Sequence, residues 1–149
     1  MRVMAQGFTR IELAVVITVM ATLGSFAIPR FTSIENEGRV AAIASLSASI
    51  RNASALAHAQ WLASGKPETI DVEGQAVTMR NGYPDTAHTG LPTALPDAAG
   101  FTATITPNEI IYKKAGAPKP DQCSVVYSPP SSAGSPPKIL LFTPNLSGC

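Results

Sequence analysis

"QGFTRIELAVVITVMATLGSFAIPRF", residues Gln6 to Phe31, decides how the rest of this chain is read. From Leu13 to Ile28 sixteen consecutive residues carry no charge. Adding Phe8 to Glu12 gives 21 residues, about 31 Å of helix at 1.5 Å per residue. That length matches one bilayer hydrocarbon core. A helix in a soluble core rarely looks like this, since it usually keeps a polar stripe. The difficulty is Glu12. A carboxylate at the centre of a span costs about 2.5–3.5 kcal/mol on insertion scales, and less near the interface. A residue held at that cost usually has a partner.

Three readings compete. A cleaved secretory signal has support from Arg2 and Arg10 ahead of the apolar run. "SFA", Ser25 to Ala27, also has small residues where signal peptidase cuts. Glu12 would then open the hydrophobic region with a negative charge. A plain N-terminal anchor leaves Glu12 equally unexplained. In the third reading the chain is cut between Gly7 and Phe8. The new α-amine then lies four residues before Glu12, and i and i+4 are neighbours on a helix. In an assembly the amine of one subunit can instead meet Glu12 of the next. Such a pair fixes register, and removing one partner of a buried pair costs about 3–5 kcal/mol. This reading alone explains the carboxylate.

Gly7-Phe8-Thr9, then Ile11-Glu12-Leu13, then an apolar run ending at Pro29, resembles the class III leader and N-terminal helix of type IV pilins. The match covers roughly residues 6–31. The resemblance implies that a prepilin peptidase cuts after Gly7 and N-methylates Phe8. It also implies that Glu12 pairs with a neighbouring subunit's N-terminus during assembly. Arg10 departs from the pattern, because the family usually has an apolar residue there. Near the cytoplasmic face its side chain can snorkel and obey the positive-inside rule. In a filament core it needs an acceptor, for which Glu12 is the candidate. Pro29 removes an amide hydrogen and crowds the preceding turn, and Gly24 and Ser25 weaken the same stretch. A kink or local opening is therefore expected over residues 21–29, a compliant segment in the filament.

Beyond Pro29 the pattern changes. Val40, Ile43, Leu46, Ile50, Ala53, Ala57 and Trp61 recur at steps of three and four, which marks one apolar helix face. Trp61 reads as core packing and His58 as a partly buried helix residue. The helix is expected to end near Ser64, with Gly65 as a left-handed cap and Pro67 beyond it.

The second half of the chain reads as strands and loops. Thr69–Val72 and Gln75–Arg80 flank Glu73-Gly74, a hairpin. Residues 81–100 have no clear period and read as a loop over the sheet. Residues 101–106 alternate as a half-buried strand, with 109–113 its partner after a turn at Pro107-Asn108. Residues 123–127 and 138–142 are two further strands, separated by the Pro-, Ser- and Gly-rich stretch 128–137. Cys123 and Cys149 are the two cysteines, with no histidine nearby to make them zinc ligands. They are either a bridge or two buried thiols. A bridge is favoured, because Cys149 is hard to bury as a mere hydrophobe; it implies an oxidising compartment. One long helix laid on a small antiparallel sheet is an α+β fold, similar to the pilin globular domain with its C-terminal disulfide-bounded region. "PRF" (29–31), "EGRVAAIASLSASIRNASALAHAQWLASG" (37–65), "NGYP" (81–84) and "CSVVY" (123–127) are similar to the mannose-sensitive haemagglutinin group of pilins.

The 149 residues carry a net charge of +1 and are only 14% charged. That argues against a nucleic-acid binder, which needs a surplus of Lys and Arg. No catalytic constellation is legible. His58 and His88 lack ligands at metal spacing, Glu35 and Glu37 point to different helix sides, and no phosphate-binding glycine loop occurs. Asn52-Ala-Ser54 and Asn145-Leu-Ser147 fit the glycosylation sequon, a weak three-residue match. No enzyme activity, cofactor or metal is expected.

The expected organisation is a leader over 1–7, a membrane and filament-core helix over 8–30, an amphipathic helix half over 31–64, and a β-sheet lobe over 65–149. The function this implies is a structural subunit of a surface filament. It would wait in the bacterial inner membrane and then assemble with copies of itself, served by the peptidase and assembly machinery. Adhesion to a surface or host-cell receptor would follow from its exposure on the extracellular filament. The alternatives are a secreted periplasmic binding module released after Ala27, and a type II secretion pseudopilin.

Overall fold

The computed structural model describes residues 9–95, 97–142 and 148–149, and the side chains of these except 27–33. Gly7 and Phe8 lie outside the described residues, as does the sequon at Asn145. The chain forms two compact units, one ending at Glu35 and one spanning Asn36–Cys149. Helix α1 (Arg10–Ala63, 54 residues) contributes to both. It is assigned as unbroken helix through Gly24 and Pro29, so the proline falls inside the element and does not end it.

In the second unit α1 is an amphipathic helix. Ile43, Leu46, Ile50 and Ala57 are buried, with Val40, Ala53 and Trp61 partly buried beside them. This is the three-and-four periodic face of the sequence. Each fully buried large aliphatic contributes about 1.5–3 kcal/mol relative to an exposed one. The helix closes as its sequence demands. Gly65 has φ 80° and the Lys66 amide donates back to the Trp61 carbonyl at 2.9 Å, a helix-closing bond that satisfies an otherwise orphaned carbonyl.

Two antiparallel sheets pack on this helix, where the sequence leads one to expect a single sheet. The first has the order β1 (Thr69–Val72), β2 (Gln75–Arg80), β3 (Tyr83–Pro84). Glu73 and Gly74 both have positive φ, at 52° and 81°, the mark of a two-residue hairpin turn. The second sheet has the order β4 (Phe101–Ile105), β5 (Ile110–Lys114), β6 (Ser124–Ser128), β7 (Lys138–Phe142). Strands β5 and β6 start one residue later than expected. Cys123 instead ends a short 3-10 turn, Pro120–Gln122. Strand β4 is less buried than its alternation suggests, since Thr102, Ala103 and Thr104 are exposed. It is an edge strand, and its small side chains reach little of the core.

The core divides along the helix in the same way. Ile43, Leu46 and Ile50 meet Ile110, Tyr112, Val125 and Tyr127 of the four-stranded sheet, together with Leu91, Leu95 and both cysteines. Ala57 meets Ile70 and Val77 of the hairpin, flanked by Trp61. Cys123 and Cys149 form the disulfide, with both residues fully buried. Burial pushes the Tyr112 phenol up to about 12 and also raises that of Tyr127, so both are neutral inside the lobe. The Tyr127 hydroxyl donates to the Pro84 carbonyl at 2.7 Å, tying the two sheets together.

Residues 81–100 are more ordered than an aperiodic loop. Asn81-Gly82, with φ 52° and 90°, turns β2 back into β3, and Leu91–Ala94 forms a helical turn, α2. Gly82 sits against the Trp61 ring. A Cβ there would lie 2.8 Å from Cζ3 of Trp61, on a backbone that L-residues rarely adopt. His58 accompanies this contact: its Nδ1 is 2.6 Å from the Gly82 carbonyl, and its ring stacks on Tyr83 at 4.3 Å. The expected result for Gly82→Ala is a loss of about 1–3 kcal/mol, combining overpacking and backbone strain. Chemical denaturation of the full chain in detergent checks it.

Candidate functional site

The residues that carry the sequence argument lie on the first unit's stretch of α1. Thr9 precedes the helix and Glu12 is in its first turn. The Thr9 hydroxyl accepts from the Glu12 amide at 3.2 Å, while the Glu12 carboxylate accepts from the Thr9 amide at 3.4 Å. This is a reciprocal capping box, S/T-x-x-E, which satisfies helix-end donors and places the carboxylate near the positive end of the helix dipole. The pattern T-R-I-E is the sequence signal for it, and the membrane reading of the same stretch makes no use of it. Glu12 therefore has a local role in the single chain, and its carboxylate is held at the helix entry.

Beyond this cap the helix carries no charge through Phe26 and is mostly apolar. Ile11, Leu13, Val15, Val16, Ile17, Val19, Met20, Leu23 and Phe26 are all exposed, with Ile11 79% and Phe26 78% accessible. At 100° per residue these nine positions cover about two thirds of the helix circumference, and the remaining third carries the small residues Ala14, Thr18, Ala21 and Ser25. The hydroxyls among them turn inward. Thr18 donates to the Ala14 carbonyl at 2.8 Å, Thr22 to Val19 at 2.8 Å and Ser25 to Thr22 at 2.7 Å. Each polar group is thus satisfied by its own helix, which is what a non-aqueous surrounding requires. By length and composition Ile34–Ala63 also qualifies as a span, with hydropathy 1.2. Its Ile43, Leu46, Ile50 and Ala57 are buried within the lobe, however, so this stretch packs by one face on the folded lobe. The membrane reading belongs to the exposed apolar stretch.

Arg10 is exposed, and among the described residues no acid pairs with it. Its own Glu12 is two positions away, about 200° around the helix at 3.6 residues per turn, so the two side chains of one chain point in opposite directions. Around Gly24 nothing lies within 4 Å of where a Cβ would be.

Elsewhere the lobe holds an open groove of about 780 Å³, lined by α1 residues such as Asn52, Leu56 and Gln60 and by His88 and Thr93. Among the described residues no group of three His, Cys, Asp or Glu side chains converges as a metal site would need. Asn52 lies in mid-helix with Ser54 buried at 1% exposure, so that sequon is not presented in an extended loop.

No family model matches the chain, and no solved structure matches it at a significant level. A curated relative does. The type IV narrow pilus major component PilA5 of Thermus thermophilus is 40% identical over 56 residues, which is 38% of this chain and 48% of the relative. The chain spans about half the length of the curated relative it matches. Over that stretch the chain is similar to a type IV pilus component, and its long N-terminal apolar helix and α+β lobe of antiparallel sheets agree with the pilin-like layout expected from the sequence.

Proposed function

We propose that the chain is the structural subunit of a type IV pilus, assembling through its N-terminal helix with copies of itself into a helical surface filament used for attachment. The observation that carries this is the apolar stretch of α1, exposed all round, with its hydroxyls bonded inward. Such a surface needs either lipid or other helices. The inner membrane supplies the first before assembly, and neighbouring subunits supply the second. Because lipid is already apolar, the gain on leaving it comes from packing and polar contacts rather than from hydrophobicity.

Prepilin peptidase cleavage between Gly7 and Phe8, with N-methylation of Phe8, belongs to the same proposal. So does the pairing of Glu12 with a neighbour's amine. Local opening over residues 21–29, around Gly24 and Pro29, is proposed as a property of the packed filament, where neighbouring helices can satisfy the freed carbonyls. The lobe, outermost in such a filament, is the part that meets a surface or receptor.

Mass spectrometry of the mature N-terminus tests the reading. A methylated Phe8 is the expected first residue. A chain beginning at Ile28 would instead make the protein a secreted module. Electron microscopy of cells lacking the chain separates a pilus subunit from a secretion pseudopilin, by whether surface fibres disappear.

A further inference from the structure

Arg10 places a second charge in the same apolar collar as Glu12, and its geometry has consequences for assembly. The side chain is exposed, and among the described residues it has no acid partner. It projects about 200° around the helix from Glu12 and about 3 Å from it along the axis. Between Thr9 and Pro29 these two are the only charged residues. Glu12 is held on its own side of the helix by Thr9. A guanidinium surrounded by Ile11, Leu13, Ala14 and their counterparts on other subunits cannot stay without an anion at low dielectric.

In a polymer made of this chain alone, the carboxylate available at that depth is another copy's Glu12. We infer that Arg10 of one subunit binds Glu12 of an adjacent subunit, so that opposite faces of the same helix end form a plug and socket. The inference rests on the pilus reading above and specifies how its subunits find register. A contact between different faces of identical subunits is heterologous, and where the rotation does not close a ring it propagates as a helical filament. The guanidinium fork can grip both carboxylate oxygens, which fixes direction as well as distance. The small axial offset keeps the two groups within reach for a modest stagger between neighbours. Before assembly the same long side chain reaches the headgroup region.

The test scores sheared fibre relative to processed, membrane-inserted subunit. Wild type comes first, since absence of wild-type fibres removes the pilus reading itself and this contact with it. Given wild-type fibres, Arg10→Leu is expected to lower relative fibre yield by at least about tenfold, as for loss of one partner of a buried pair. Arg10→Lys is expected to recover much of the yield, because the charge is restored. Subunits carrying Arg10→Cys and Glu12→Cys, each mixed at low fraction into wild-type fibres, are expected to crosslink 10 to 12 across subunits. Full fibre yield from Arg10→Leu, or 10-to-10 crosslinks in place of 10-to-12, overturns the inference while leaving the pilus reading standing.

Discussion

Glu12→Ala is expected to leave the amount of membrane-inserted subunit unchanged or raised, while surface fibre falls at least about a hundredfold. The first half follows from transfer energetics. Removing a carboxylate near one end of a span relieves an insertion cost that is at most about 2.5–3.5 kcal/mol at the centre and smaller at the interface. The second half follows from the partners left behind. In the proposed assembly the neighbour's amine, its Arg10 or both would sit in an apolar core without a counter-ion, at a cost of about 3–5 kcal/mol, and each 1.4 kcal/mol is tenfold.

Glu12 also caps α1 through Thr9, so a loss of fibre from Glu12→Ala could arise from the cap alone. Glu12→Gln separates the two roles. Glutamine completes the same capping box but carries no charge. Fibre yield as low in Glu12→Gln as in Glu12→Ala assigns the effect to charge. Full yield from Glu12→Gln would assign it to the cap and sink the ion-pair account.

Replacing Cys149 by serine is expected to lower the stability of the lobe by about 3–4 kcal/mol, as the chain-entropy model gives for cysteines 26 apart. Cys149 is fully buried in the main cluster, and its carbonyl accepts a hydrogen bond from Nε of Arg39 on α1. The Gly148 carbonyl accepts from the Lys119 amide at 3.1 Å. The C-terminal residues therefore tie α1, the turn before β6 and the sheet core together, and the disulfide holds them in place. Denaturant titration of the full chain in detergent, with and without reductant, reads the difference. A loss below about 1 kcal/mol would mean that packing and the Arg39 bond hold the segment without the disulfide.

The helix was legible because its side chains follow its period. The face from Val40 to Trp61 could be read position by position, and the core is built on it. The Glu73-Gly74 hairpin was legible from its turn residues, and four further strands were found to within a residue or so. What escaped had local signals of a different kind. Asn81-Gly82 is a strong hairpin dipeptide, but β3 has only two residues, too short for any alternation to show. The division into two sheets depends on which strands pair across long sequence separations, and periodicity carries no information about that. The capping box at Thr9 is masked by its setting, because a carboxylate in a membrane span stands out as an oddity before it stands out as part of a helix start. The leader junction at Gly7 and Phe8 rests on its motif and on the chemistry proposed for it.

The inward-turned hydroxyls of Thr18, Thr22 and Ser25 bear on traffic in both directions. Each carries its hydrogen-bond partner within its own backbone, so exchanging acyl chains for protein neighbours neither breaks nor makes a polar contact along that length. In the proposed filament, these hydroxyls would then add little to the polar difference between bilayer and polymer, and the polar share of that difference would rest on the charged collar at the helix entry.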